Sequence, residues 1–516
     1  MLVIELSKPA KERKALSLPP SGPFPRVAIL ICCCSEKIDV IQDTVKGAMN
    51  QNYPGERYSV WVLDDGGDDE LKAWQQQGRR LFYLRRPKKK GVPHHFKAGN
   101  INYGLHFACG EFVAVLDADM IPSPFFLSAL LPHIVGEEKG DVAFVQCPQS
   151  FYNIVKGDPL NDSSQDFYDV LLPYRDGRDS AQCVGTGVIF RAAHLQAIGG
   201  FTVGSITEDF DTAMTLHARG YKTAYVNQYY LSMPVIMIRY AFMPPFQDRS
   251  ENSSSPSPPS FLPPGVQYYL NVIVIMILVL PVLILALDLR IMPPGPVFET
   301  TRLYIILLVP YVFTSRLLCL GLFSRLPNGM MVQLRGEQVW YWMSFFNCMA
   351  ILRFFFPFIS KKFEATGSTK KKAPGVWERL MTVWFHVGFC VAGVGAVAWR
   401  FATVDFHDCG MLLKVTSWAP FILFSVQSML VPIIHVIMSP THPKPEDRRK
   451  YLNYDEYGVP YLRPEQLLPK RDYRVLLFNI IPAIWAVTIG FYFYAAITNF
   501  RPGFCTKSGF FGYPRF

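Results

Sequence analysis

Five apolar segments in the second half of this 516-residue chain constrain its fold more than any other feature. A helix that crosses the hydrocarbon core of a bilayer needs about 20 predominantly apolar residues. Segments of that kind lie at residues 268–289, 303–323, 380–399, 411–438 and 475–498. Five such lengths in succession are rare in soluble domains, so buried helices of a soluble protein are the weaker interpretation. The sequence predicts an α-helical, multi-pass membrane domain.

Basic residues in the connecting loops predict how this domain is oriented. The loop after the second segment contains Lys361, Lys362 and Lys370, and the loop after the fourth contains Arg448 and Arg449, with further basic residues in each. Loops rich in lysine and arginine stay in the cytosol. Both loops and the first half of the chain are therefore expected to be cytosolic. Topology accounts for much of the net charge of +10, and we do not expect nucleic-acid binding.

The first half of the chain reads as an α/β domain. Short apolar strands at residues 26–34, 58–63, 81–84 and 111–116 alternate with helical stretches. This alternation predicts a parallel sheet, which binds ligands at the carboxyl ends of its strands. The full division of the chain is a loose tail (1–25), the α/β domain (26–235), a Ser/Pro-rich linker (236–266), two spans (267–325), an interfacial helix with a following loop (326–375) and three spans with a basic loop (376–516).

Acidic pairs follow two of these strands. Asp117 and Asp119 form an Asp-x-Asp pattern whose two side chains point the same way in extended backbone. Such a pair can hold Mg²⁺ or Mn²⁺ together with phosphate oxygens, although a solvated turn is the commoner meaning of the pattern alone. Asp64 and Asp65 precede two glycines, and they could accept hydrogen bonds from a nucleoside or simply form a turn.

Two further motifs could supply a cation and a base. Lys97 begins a helical stretch and could pair with a phosphate, although a lone lysine is usually a solvated surface group. Glu208 and Asp209 begin another helix, where acids also suit the helix dipole. Asp209 could act as a general base that removes a proton from an attacking hydroxyl, with Glu208 beside it. The eleven cysteines contain no C-x-x-C pair and predict no zinc site.

The order of these motifs resembles the processive, membrane-bound members of glycosyltransferase family 2. Asp-Asp-Gly, Lys-Ala-Gly-Asn, Asp-x-Asp and Thr-Glu-Asp precede the apolar segments here as they do in cellulose synthases, hyaluronan synthases and fungal mixed-linkage glucan synthases. The resemblance implies a GT-A-type domain that binds a UDP-sugar, with UDP-glucose as the leading guess. It places Asp64, Asp65, Lys97 and Asp117 at the donor, Asp117 and Asp119 at the metal, and Gln146, Gln149, Gly185 and Thr186 on the acceptor side.

The resemblance also implies a function and a place in the cell. The chain would extend a cell-wall polysaccharide by an inverting transfer at the plasma membrane. Residues 362–367 partly match the family's gating loop.

One motif of the family is missing from the sequence. The Gln-x-x-Arg-Trp motif that should follow Thr-Glu-Asp is not found, and residues 236–240, the nearest string, lack its glutamine and tryptophan. Either the motif was lost or the sequence contains a misread exon boundary. A non-catalytic membrane scaffold and a transferase that adds one sugar therefore remain alternatives. The sequence does not predict the oligomeric state.

Overall fold

The structure is a computed structural model. It describes residues 24–75, 80–87, 93–136, 140–152, 163–205, 207–228, 231–233, 264–289, 329–356, 375–405, 409–437 and 450–462, with a few single residues between 10 and 22 and residue 154. Two predicted spans, residues 303–323 and 475–498, lie outside the described residues, as do the gating-like residues 362–367 and most of the linker.

The first half of the chain forms the predicted α/β domain. Its elements in chain order are β1 (Val27–Cys33), α1 (Ile38–Met49), β2 (Tyr58–Asp64), α2 (Asp69–Gln75), β3 (Leu81–Leu84), α3 (Phe96–Leu105), β4 (Phe112–Asp117), β5 (Ile121–Pro122), α4 (Phe126–Leu130), α5 (Pro132–Val135), β6 (Val142–Gln146), β7 (Ser150–Phe151), a π-helix (Asp166–Leu171), α6 (Leu172–Asp176), β8 (Val188–Arg191), α7 (Ala192–Ala197), α8 (Glu208–Ala218), β9 (Lys222–Tyr225) and β10 (Leu231–Met233).

A seven-stranded sheet with the order β3-β2-β1-β4-β8-β6-β9 forms the centre of the domain. The prediction of a parallel sheet holds for β3, β2, β1 and β4. It is wrong for β8, which runs antiparallel to both β4 and β6. The connection from β6, which includes the π-helix and α6, returns the chain in the opposite direction, so β8 enters the sheet from the end where β4 leaves it. The α/β class is confirmed, with a mixed sheet.

Strand β1 is apolar along its whole length because both faces of the sheet are covered. In β1, Ile29 and Ile31 belong to a core cluster with Ile41 and Val45 of α1. Leu30, between them, belongs to a second cluster on the opposite face, which includes residues of α3. Successive residues of a strand point to opposite faces, so a strand buried on both sides has no polar positions. The domain thus has three layers.

The described parts of the second half are helical except for one β-hairpin. Its elements are α9 (Pro264–Leu287), α10 (Gly329–Phe355), α11 (Val376–Thr382), α12 (Trp384–Thr403), α13 (Cys409–Ile437) and a hairpin of β11 (Leu452–Tyr454) and β12 (Pro460–Leu462). Leu278 of α9, Trp342 of α10, Phe389 of α12 and Ile422 of α13 share one core cluster, so these four helices pack together.

Three of the five predicted spans correspond to the described helices α9, α12 and α13. Within the described residues, α12 is the one helix long and apolar enough by itself to cross a membrane. The segment predicted to be an interfacial helix is α10, whose Trp342 is 1% exposed against the other helices. Its place relative to a bilayer stays a prediction.

One described residue of the predicted loose tail, Arg13, contacts the α/β domain. The guanidinium of Arg13 forms two hydrogen bonds of 2.8 Å with the carboxylate of Asp176. Asp176 is fully buried, and its Oδ1 also accepts the backbone N–H of Tyr225 at 2.9 Å. This part of the tail is therefore attached to the α/β domain.

Candidate active site

The direction of β8 brings a glycine-rich turn to the edge where β4 ends. The backbone N–H of Gly187 donates to the carbonyl of Val115 at 2.9 Å. The backbone N–H of Asp117 donates to Oγ1 of Thr186 at 3.0 Å. The predicted acceptor-side residues Gly185 and Thr186 therefore lie beside the predicted metal residue Asp117.

Lys97 connects these two segments. Its Nζ donates to Oδ1 of Asp117 at 2.5 Å and to the carbonyl of Gly185 at 2.8 Å. Burial acts to lower the pKa of Lys97, but the negative groups around it, above all Asp117, raise that pKa overall. Lys97 is therefore a fixed positive charge at the end of β4. A contact between Lys97 and a donor phosphate stays a prediction.

The surroundings of Asp119 suit a carboxylate that binds a cation. It is 7% exposed, and its Oδ2 has no hydrogen-bond partner among the residues that the structure describes. Burial, and next the charge of Asp117, raise its pKa to about 7. A buried carboxylate oxygen without a partner is unfavourable unless a positive group meets it. The described part of the chain contains no cluster of three or more metal-ligating side chains. Asp117 and Asp119 would hold a cation together with oxygens of a bound phosphate.

The predicted base reaches the same place from α8. A Cβ atom at Gly185 would lie 2.9 Å from Oδ2 of Asp209 and 3.6 Å from Nζ of Lys97. Burial raises the pKa of Asp209, although Lys97 opposes this effect. Burial likewise raises the pKa of the neighbouring Glu208 to about 7. The structure thus brings Lys97 and Asp209 together at Gly185, and the charge of Lys97 also acts on Asp119 and Glu208.

Asp64 ends β2, Asp65 follows it, and both have their own partners. The carboxylate of Asp64 accepts the backbone N–H groups of Gly67 and Asp68 at 2.9 and 2.7 Å, and the hydroxyl of Tyr83 at 2.6 Å. It therefore holds the turn. Asp65 is paired with Arg86 through two hydrogen bonds of 2.7 Å. A nucleoside contact for either acid stays a prediction.

Sequence reasoning missed Arg86. It lies just beyond β3, at the same edge of the sheet as the acids, and its guanidinium also donates to the carbonyl of Phe96 at 2.8 Å. It therefore ties the end of β2 to the start of α3, which carries Lys97. The sequence does place Arg86 just after a predicted strand, and the same position indicates Asp65 and Asp117 as candidates.

The two predicted glutamines shape the turn before β8. Gln146 is fully buried, and its Nε2 donates to the carbonyls of Cys147, Thr186 and Gly187 at 2.8, 2.8 and 3.1 Å. Nε2 of Gln149 donates to the carbonyl of Val184 at 3.2 Å. Both side chains contact backbone, and a contact of either with a sugar stays a prediction.

Part of the chain is similar in sequence to known glycosyltransferases. Residues 25–232 match the family described as "Glycosyltransferase like family 2". A UDP-forming cellulose synthase of Komagataeibacter sucrofermentans is 31% identical in its catalytic chain over 222 residues, 42% of this chain and 29% of that protein. A UDP-forming cellulose synthase of Dictyostelium discoideum is 44% identical over 154 residues, 29% of this chain and 14% of that protein.

The similarity is confined to part of each relative, and the chain spans less than a third of the length of these curated proteins. Among solved structures, the mannosyltransferase PcManGT from Pyrobaculum calidifontis, in complex with GDP-Man and Mn²⁺, aligns with 68% of this chain and 92% of that chain. The sequence identity there is 18% and the TM-score is 0.40, too low to relate the two in detail. The matched residues, 25–232, include every candidate site residue described above.

Proposed function

We propose that this chain transfers a sugar from a UDP-sugar, with UDP-glucose as the first donor to test, to a growing polysaccharide with inversion. The observation that carries the proposal is the convergence of Lys97, Asp117 and Asp209 around the turn at Gly185. The relatives named UDP-forming cellulose synthases support the donor and the polymer. A GT-A-type domain on the cytosolic side of a multi-pass membrane domain, at the plasma membrane, completes the proposal.

The chemistry follows from where the groups lie. A hydroxyl of the acceptor attacks the anomeric carbon of the donor from the side opposite UDP. Oδ2 of Asp209 accepts the hydroxyl proton, the new C–O bond forms, and the bond from the anomeric carbon to the phosphate oxygen breaks, so that UDP leaves. A buried carboxylate with a raised pKa is suited to accept that proton.

The leaving diphosphate needs positive charge. Lys97 supplies one such charge from within the site. A divalent cation, Mg²⁺ or Mn²⁺, held by Asp117 and Asp119 would neutralise further charge on the diphosphate. Asp117 contacts Lys97 and lies two residues from Asp119, so both charges would meet the same phosphate groups.

Transfer of labelled glucose in membranes that contain the chain tests the proposal. We expect Asp209→Asn to lower turnover by about 100-fold or more, the range for loss of a general base, with UDP binding retained. Asp211→Asn is the matched control, because Asp211 lies in the same first turn of α8 but is not part of the convergence around Gly185.

Three outcomes would count against the proposal. Equal turnover by Asp209→Asn and the unchanged chain would show that Asp209 is not the general base. Binding of UDP by the unchanged chain without turnover of any UDP-sugar would favour the membrane scaffold. Products that carry a single added sugar would contradict polymer synthesis and leave the transfer chemistry in place.

A further inference from the structure

The hairpin of β11 and β12 folds onto the α/β domain, far from it in sequence. The hydroxyl of Tyr454 donates to Oδ2 of Asp43 on α1 at 3.1 Å. Leu452 is 2% exposed and shares a small core cluster with Ile121 of β5 and with Tyr152. The rings of Tyr152 and Tyr451 lie 5.9 Å apart. The hairpin thus touches both α1 and β5.

These two elements determine where Asp119 lies. Oγ1 of Thr44, the residue after Asp43 on α1, donates to the carbonyl of Ala118 at 2.8 Å. On the next turn of α1, a Cβ atom at Gly47 would lie 3.2 Å from the side chain of Ile121. Helix α1 therefore holds the chain immediately before and two residues after Asp119.

The hairpin is itself well defined. Oδ1 of Asp455 accepts the backbone N–H groups of Tyr457 and Val459 at 2.9 and 2.8 Å. Gly458 has φ +71°, a left-handed conformation that suits glycine. A turn with these hydrogen bonds is rigid, so the hairpin can fix the position of α1 relative to β5.

We infer that this hairpin is a positioning element for Asp119. Leu452 packs against Ile121, and Tyr454 forms a hydrogen bond with α1. Together these contacts keep the carboxylate of Asp119 in a position where it can bind a divalent cation. The hairpin lies in the predicted cytosolic loop between two predicted spans, so it would also link the membrane half to the catalytic edge. The inference rests on the proposed metal-dependent function, and its test does not require turnover.

The test compares three variants of the full chain purified in detergent. Leu452→Ala removes the packing on Ile121, and Tyr454→Phe removes one hydrogen bond with little change of shape. Tyr457→Phe is the matched control, because Tyr457 lies at the hairpin tip and is 78% exposed. The measurements are binding of Mn²⁺ alone, by electron paramagnetic resonance of the free ion, and amide hydrogen exchange of residues 117–122.

Loss of support for a metal ligand weakens metal affinity by roughly tenfold or more. We expect a loss of that size for Leu452→Ala, a smaller loss for Tyr454→Phe, and faster exchange of residues 117–122 in both. We expect no change in Tyr457→Phe. Unchanged metal affinity and exchange in both hairpin variants would overturn the inference, as would an equal change in the control. If no UDP-sugar is turned over, the proposed function fails while these measurements still decide the role of the hairpin.

Discussion

Binding of Mn²⁺ to this chain should weaken steeply as the pH falls below neutrality. Asp119 is the reason, because burial and the charges of Asp117 and Glu36 raise its pKa from the ordinary 3.8 to about 7. Below that pH the carboxyl group carries a proton that a cation must displace. For one such group, the apparent affinity should fall about tenfold between about pH 8 and about pH 6.

An aspartate with an ordinary pKa gives a different result. It would be ionised over the whole of that range, and the affinity would stay nearly constant. The sign follows from the direction of the shift: because the pKa of Asp119 is raised, protons compete with the metal in the acid part of the range and not in the basic part. The predicted tenfold change therefore measures how far the surroundings of Asp119 raise its pKa.

Titration of the purified chain with Mn²⁺ at several pH values, followed by electron paramagnetic resonance, measures this dependence. Two variants separate the groups that titrate near neutrality. Asp119→Asn should bind Mn²⁺ weakly at every pH. Glu208→Gln should keep the full pH dependence, because Glu208 also has a pKa of about 7 but is not a proposed ligand. An affinity independent of pH, or a dependence that disappears in Glu208→Gln, would refute the reasoning.

Two further predictions concern the turn before β8 and the tail. Gly185→Ala should lower sugar transfer by about 100-fold, the scale for misplaced catalytic groups, because its Cβ would lie 2.9 Å from the carboxylate of the proposed base. Gly204→Ala, also at positive φ but facing open space, should retain transfer, and kinetics of the two variants check this. Arg13→Ala should lower the free energy of unfolding by about 3 kcal/mol, because it leaves the buried Asp176 carboxylate unpaired. Lys11→Ala, which breaks an exposed ion pair, should change it by less than about 1 kcal/mol in the same thermal unfolding assay.

The sequence predicted the first four strands of the domain to within one residue at either end. Predicted strands at 26–34, 58–63, 81–84 and 111–116 correspond to β1 to β4. They were predictable because strands covered on both faces are continuous apolar runs with a sharp end. The polar residue that ends such a run lies at the carboxyl end of the strand, where ligands bind in α/β sheets. For this reason the sequence alone indicates Asp64 and Asp117 as candidate site residues.

What the sequence did not predict depends on contacts between distant segments. No local pattern in β8 distinguishes an antiparallel from a parallel strand, since direction depends on which neighbour it pairs with. The partner of Asp65, Arg86, is fixed by the sheet and not by spacing. The contact between Tyr454 and Asp43 joins residues 411 positions apart, beyond any periodicity in the chain.

The unpredicted direction of β8 is also what completes the site. A parallel strand beside β4 would present its carboxyl end at this edge, and the turn that precedes it would lie at the opposite edge of the sheet. Because β8 is antiparallel, the turn at Gly185 comes to the end of β4, where its carbonyl accepts a hydrogen bond from Lys97. The same turn leaves room for the carboxylate of Asp209, since a glycine has no Cβ. Lys97 and the proposed base therefore both lie next to Gly185, and their separation depends on the pairing of β4 with β8.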